Sequence, residues 1–184
     1  MEKKINRNFP NSKLTNHPPH STIYVSNIKN IDKAIIEVEY VLSTLKPFKI
    51  KIDKTDVFYN DKFTGGDSIF LNIKNNKKLF VLQKKVAEKL KYFSNKTNNK
   101  KKSISIKNKK LKKSQEIYGF PFIGSHWNPH FTIGSIKDIR NSKEFIKFLN
   151  TKINFENMVS NISVWKINGE KHTRLKVINL SNKK

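Results

Sequence analysis

Apolar positions along this chain change period several times, and each change marks an element. Ile31, Ala34, Ile35, Val38, Val41, Leu42 and Leu45 recur at helical spacing, with Asn30 or Asp32 to cap the start and Pro47 to stop the end. Phe48-Lys49-Ile50-Lys51-Ile52 then alternates strictly, the pattern of a half-buried strand. A short strand is expected over Val57 to Phe63, a turn at Gly65-Gly66, and a well-covered strand over Ser68 to Lys74. Leu79, Phe80, Leu82, Val86, Leu90 and Phe93 form the stripe of a second amphipathic helix, from about Lys77 to Phe93. A third, from about Ser142 to Leu149, buries Phe145, Ile146 and Leu149, and two alternating strands, Asn161 to Ile167 and Arg174 to Leu180, close as a hairpin at Asn168-Gly169.

Two stretches lack such periodicity. Residues 1 to 16 read as a flexible basic arm ahead of a single domain over 17 to 184, and residues 94 to 114, dominated by Lys, Asn and Ser, read as a mobile Lys-rich loop, with a short strand at Ile104 to Ile106 as the alternative. His17-Pro18-Pro19-His20 forces an extended entry into His20-Ser21-Thr22-Ile23, and the same His-x-Thr-Ile pattern returns at His130-Phe131-Thr132-Ile133. Read as strands, the two copies each place an imidazole and a hydroxyl on one face and apolar groups on the other: His20, Thr22 and Tyr24 against Ser21, Ile23 and Val25, and His130 and Thr132 against Phe131 and Ile133. Each copy opens a run of strand, helix, strand, strand. The expected architecture is therefore α+β and bilobal, pseudo-symmetric, with two mainly antiparallel sheets lining a central cleft and helices on the outer faces.

Composition narrows the partners. The 184 residues carry a formal net charge of +24, nearly all of it lysine, since arginine occurs only at Arg7, Arg140 and Arg174. An AT-rich coding sequence yields the same Lys, Asn and Ile skew, so part of this charge is ordinary solvated surface; the resulting field still concentrates polyanions, favouring a nucleic acid or nucleotide ligand. Cysteine is absent, which excludes disulfides and thiolate metal sites and fits a reducing compartment. No apolar run approaches the roughly 20 residues of a membrane span, and the basic N-terminus has no apolar region behind it, so a cytoplasmic, non-membrane and monomeric protein is expected.

Two histidines facing one phosphodiester divide acid-base work, the neutral one taking a proton from water and the protonated one donating to the leaving oxygen. His20 and His130 are the candidate catalytic pair. Thr22 and Thr132 are placed to bind nonbridging oxygens, and Gly134 to leave room for a phosphate. Tyr24 and Trp127 are candidate base-stacking groups, whereas Phe122 reads as core. His126 with His130, and His17 with His20, have spacings found in helical metal sites, but the intervening prolines oppose helix and no thiolate or carboxylate partner is near, so no metal and no cofactor is assigned. His172 reads as an exposed turn residue; Lys100 to Lys102 and Lys109 to Lys113 are either a phosphate track or a solvated charge run.

The paired His20-Ser21-Thr22-Ile23 and His130-Phe131-Thr132-Ile133 resemble the signature of the 2H phosphoesterase superfamily, which includes the 2′-5′ RNA ligase-like cyclic phosphodiesterases. That resemblance implies a bilobal α+β fold and metal-independent hydrolysis of 2′,3′-cyclic phosphates or 2′-5′ linkages in RNA ends, oligonucleotides or small nucleotides. It also implies His20 and His130 as the acid-base pair and Thr22 and Thr132 as phosphate ligands. Familiar members open with a further strand and helix, whereas nineteen residues precede His20 here, so the element completing the first lobe is expected from elsewhere in the chain. The same chemistry on a cyclic dinucleotide or other small phosphodiester, and a noncatalytic RNA-binding module, are the competing readings.

Overall fold

A computed structural model describes residues 20–61, 64–95, 108–137, 140–169 and 171–181. The chain is α+β and divides into two compact units, the first of Met1–Thr22, Lys51–Asn75 and Asn128–Asn157, the second of Ile23–Ile50, Asn76–Trp127 and Met158–Lys184. Among the described residues no helix is long and apolar enough to cross a membrane.

The first unit is built on a sheet. Strand β1 (Phe48–Asp61, its first three residues counted with the other unit), β2 (Gly66–Ile73), β3 (His130–Ile136) and β4 (Phe155–Val159, its last two residues likewise counted with the other unit) lie in the order β3-β2-β1-β4. The alternating apolar run over 48–52 and the strand expected from Val57 are one element. A bulge leaves Asp53 without a partner between the pairs Ile52–Ile73 and Lys54–Asn72, and this shifts the buried face from Ile52 to Thr55 and Val57. On that face Ile69, Ile133, Ile136 and Phe145 form the core, flanked by Val57, Leu71, Phe148 and Leu149. Phe145 to Leu149 come from α4 (Lys143–Leu149), whose N-terminus is capped by Ser142. At its other end the Thr55 hydroxyl donates to the carbonyls of Phe148 (3.1 Å) and Leu149 (2.9 Å), satisfying groups the helix leaves open.

The second unit is mainly helical. Helix α1 (Ile31–Ser43), capped by Asn30, packs Ala34, Val38, Val41 and Leu42 against α2 (Lys77–Leu90), capped by Asn76 and burying Leu79, Leu82, Val86 and Leu90. Gln83, fully buried, donates to the Phe122 carbonyl (2.8 Å) and accepts from the Gly124 N–H (2.9 Å), fixing the approach to a 3-10 turn at Gly124–His126. The C-terminal hairpin forms as expected, β5 (Asn161–Asn168) against β6 (Lys171–Asn179), and Lys176 pairs with Glu39 of α1 (2.5 Å).

Several expectations are corrected. Residues 94–114 are not wholly a loop: although residues 96–107 lie outside the described set, Asn108 accepts from the N–H groups of Lys110 and Leu111 and starts α3 (Lys109–Tyr118). Its partly covered stripe, Leu111, Ser114, Gln115 and Tyr118, is too polar to stand out beside four lysines. The arm over 1–16 and the tract Lys100 to Lys102 likewise lie outside the described residues. The first His-x-Thr copy is not a strand. Residues 20–27 are in no strand, and the chain first pairs at an isolated bridge between Ile28 and Ser94, with Asn95 N–H donating to the Asn27 carbonyl (2.7 Å) and Lys29 N–H to the Phe93 carbonyl (2.9 Å). A strand requires a ladder partner, and among the described residues this segment has none, so the strand-for-strand repeat is not shown.

Helix α3 ends on Gly119, at φ +70, where a Cβ would lie 2.1 Å from Ser94 Oγ and 2.5 Å from Ser26 Oγ. Those two hydroxyls are hydrogen-bonded to each other (2.5 Å), so neither rotates away freely. Gly119→Ala is expected to destabilise the protein by at least about 2 kcal/mol, from the left-handed backbone and the clash together, read as a lower urea midpoint.

Candidate active site

His130 opens β3 and is half-buried. Asn72 lies opposite it on β2 and Phe70 opposite Thr132, so these four side chains share one face of the sheet. The imidazole is wedged on aromatic rings: Phe70 lies 5.0 Å away and tilted, Phe58 5.0 Å away and edge-on, and these two stack on each other at 4.2 Å. Its Nδ1 lies 2.6 Å from the Asn128 carbonyl. A carbonyl only accepts, so Nδ1 carries the proton and the neutral ring keeps its lone pair on Nε2.

A second bulge shapes the rest of this face. Ile69 pairs with Gly134 and Phe70 with Thr132, which leaves Ile133 as the extra residue. Gly134 therefore stands opposite a core residue rather than beside the imidazole, correcting the reading that it clears space for a phosphate. The same slip turns Ser135, opposite Ser68, to the face of His130 and Thr132 while Ile133 and Ile136 both stay in the core.

Ser135 belongs to a polar cluster. Its hydroxyl donates to Thr64 Oγ1 (2.7 Å), Ser68 Oγ donates to Asp61 Oδ2 (2.6 Å), and Thr64 Oγ1 lies 2.9 Å from Ser68 Oγ and 3.2 Å from Asp61 Oδ2. Alongside it, Asp67 is buried and gripped by Arg140, Nε to Oδ2 at 2.8 Å and Nη2 to Oδ1 at 2.9 Å, which with burial opposing it holds the carboxyl below its ordinary value. An open pocket of about 630 Å³ is lined there by Asn60, Asp61, Gly66, Asp67, Lys137 and Arg140 among others.

Charge on His130 is set by its surroundings. Burial, the largest influence, pushes its pKa below the ordinary histidine value; the hydrogen bond to the Asn128 carbonyl and the Asp61 carboxylate push it up, and the charge of His20 pushes it down again. His20 is thus close enough for the two imidazoles to sense one another, although it is exposed and in a segment without ladder bonds. Thr22 is exposed and Thr132 half-buried, and all four motif residues fall in the first unit.

The two aromatic candidates belong to the second unit. Trp127 is 6% exposed in the second unit, packed edge-on against Phe80 at 5.4 Å. Tyr24 donates its hydroxyl to the Tyr118 carbonyl and packs with Phe120 on the Ala87–Phe120–Ile123 core, its pKa raised chiefly by burial. Both rings make packing contacts within the second unit. Phe122 joins the same cluster, as expected. His172 lies on β6 and is half-buried, not a turn residue. Sequence reasoning missed Phe58, Phe70, Asp61 and Ser135; the one available signal was the alternation of Ser68, Phe70 and Asn72, which puts Phe70 and Asn72 on one strand face with Ser68. Among the described residues no group of three or more His, Cys, Asp or Glu side chains is placed to hold a metal ion.

Fold and face together define an α+β protein whose sheet presents a half-buried imidazole and a threonine on one side. Comparison with protein families resolves the class further. Residues 3–171 match the model of the 2′-5′ RNA ligase superfamily, and the chain belongs to that family of 2H phosphoesterases. Comparison with curated proteins gives no match.

Proposed function

We propose that this protein is a phosphodiesterase that opens 2′,3′-cyclic phosphates or 2′-5′ linkages at RNA ends or in short oligonucleotides, with His20 and His130 as its acid-base pair. The observation that carries this reading is the state of His130. Its Nδ1–H is committed to the Asn128 carbonyl and its burial disfavours the cation, so a neutral ring with Nε2 as acceptor is the favoured form near neutral pH. That is what a general base requires, and in this reading His20 serves as the acid.

In the proposed step, Nε2 of His130 removes a proton from water and the oxygen attacks phosphorus. The bond from phosphorus to one ribose oxygen breaks, and the His20 imidazolium gives its proton to that oxygen. The product is a phosphomonoester beside a free hydroxyl, and solvent returns the two rings to their starting states. Thr22 and Thr132 hydroxyls donate to the nonbridging oxygens, a contribution of order 1.5–3 kcal/mol for a bond to a charged group. No metal or cofactor takes part in the proposal.

The test is hydrolysis in EDTA of a panel containing 2′,3′-cyclic mononucleotides, a 2′-5′ dinucleotide, its 3′-5′ isomer and a cyclic dinucleotide, with products separated by chromatography. Turnover of the first two is expected. Turnover confined to the cyclic dinucleotide would move the substrate class, and no turnover of any diester would leave only a binding protein.

Asp61 supplies a second test through pH. Its carboxylate favours the protonated form of His130, so removing the charge makes protonation harder and keeps the base neutral to lower pH. In Asp61→Asn, which keeps an acceptor for Ser68, the acid limb of kcat/KM is expected to move to lower pH than in the wild type. A limb that stays fixed or moves up would remove His130 from the role of base.

A further inference from the structure

We propose that the outward face of the β5–β6 hairpin binds single-stranded nucleic acid, with Trp165 as a stacking platform and Arg174 on the phosphates. Register defines the face. Trp165 pairs with Arg174, Ile167 with His172 and Ser163 with Val177, and since partners point the same way these six side chains lie together. The opposite face carries Ile162, Val164, Lys176 and the buried Ile178, and is the side tied to α1 through Lys176 and Glu39.

The outward face has the composition of a single-strand platform. Trp165 is 41% exposed, Ile167 55% and Val177 44%, an apolar area that an isolated domain gains nothing by showing to water. Arg174 lies over the indole, its Cζ 5.9 Å from the ring centroid, so a cation stands against one side of the ring. Arg174 is the cation of this face, since Lys166, Lys171 and Lys176 alternate onto the opposite one, and no acidic residue of the hairpin's paired positions stands beside it. Charge selects the occupant. A second copy would bring the same guanidinium to the same place in a protein of net charge +24, whereas a polyanion satisfies it and an unpaired base covers the indole. This surface stands apart from the histidine reading, because nothing in it requires turnover.

The test is fluorescence anisotropy of a labelled oligothymidylate of about ten nucleotides, which lacks the 2′-hydroxyl and is not a substrate of the proposed reaction, with an oligouridylate arm to separate DNA from RNA. Tight binding that weakens as salt rises is expected, with quenching of the exposed indole. Trp165→Ala should weaken binding about tenfold and abolish the quenching, within the range of aromatic-base stacking, while Trp165→Phe retains most of the affinity. Arg174→Glu should weaken binding and flatten its salt dependence. Both positions are solvent-exposed, and circular dichroism checks the fold. Wild-type affinity in Trp165→Ala would overturn the proposal, leaving only diffuse electrostatic attraction. So would a wild-type dimer in sedimentation that the same change dissociates, which would give this face to a second copy.

Discussion

Replacing either His20 or His130 with alanine is expected to lower the hydrolysis of a 2′,3′-cyclic nucleotide by about 10²–10⁴-fold, the range a positioned acid or base supplies. The two changes should differ in what accompanies the loss. His20 is exposed, so His20→Ala should leave the unfolding midpoint where it was. His130 is wedged against Phe58 and Phe70, and its removal opens a small void, so a modest loss of stability goes with the loss of rate. His130→Gln separates these effects, since it refills part of the space and still donates to the Asn128 carbonyl but supplies no base at neutral pH. If both rings serve one displacement, the double variant should be little slower than the worse single one, because residues acting as a unit are not additive. Single-turnover rates, with circular dichroism on each variant, decide the matter; activity within about threefold of wild type in either alanine variant would remove the two-histidine mechanism.

How much of this was legible beforehand depends on the range over which each feature is determined. Helices α1, α2 and α4 and the β5–β6 hairpin are set by local periodicity and local caps, Asn30, Asn76 and Ser142 for the helices and Asn168-Gly169 for the turn, and all four were readable in sequence. What escaped depends on which edges meet. Alternation counted along β3 puts Gly134 beside His130, but the bulge at Ile133 arises only when β3 is matched against β2, and it exchanges Gly134 for Ser135 on the polar face. Two similar tetrapeptides suggested two similar strands; His20 to Ile23 has the strand pattern and no ladder, because pairing belongs to the sheet and not to the segment. The electrostatics of His130 were out of reach for the same reason, since Asp61 is sixty-nine positions away (130 − 61) and meets the site only through the hairpin of β1 and β2.

That hairpin also underlies the other large expected effect. Phe70 is 2% exposed, stacked on Phe58, and in contact with the His130 ring, so Phe70→Ala removes a core side chain and the floor of the candidate site together. Truncating a buried phenylalanine costs about 3–5 kcal/mol, and at roughly 2–4 °C per kcal/mol for a chain of this size the unfolding midpoint should fall by about 6–20 °C. Loss of rate in such a variant would say little, because the fold is damaged too. Phe70→Leu is the informative partner. It keeps most of the apolar volume but neither the stacking on Phe58 nor the ring-to-ring contact with the imidazole, at a cost expected to stay below about 2 kcal/mol. With the sheet intact and the imidazole less firmly held, Phe70→Leu should lower kcat while KM changes little, because the threonine hydroxyls that would bind the ground-state phosphate are untouched. A kcat equal to that of wild type would show that Asn128 alone orients His130 and that the aromatic floor serves only stability.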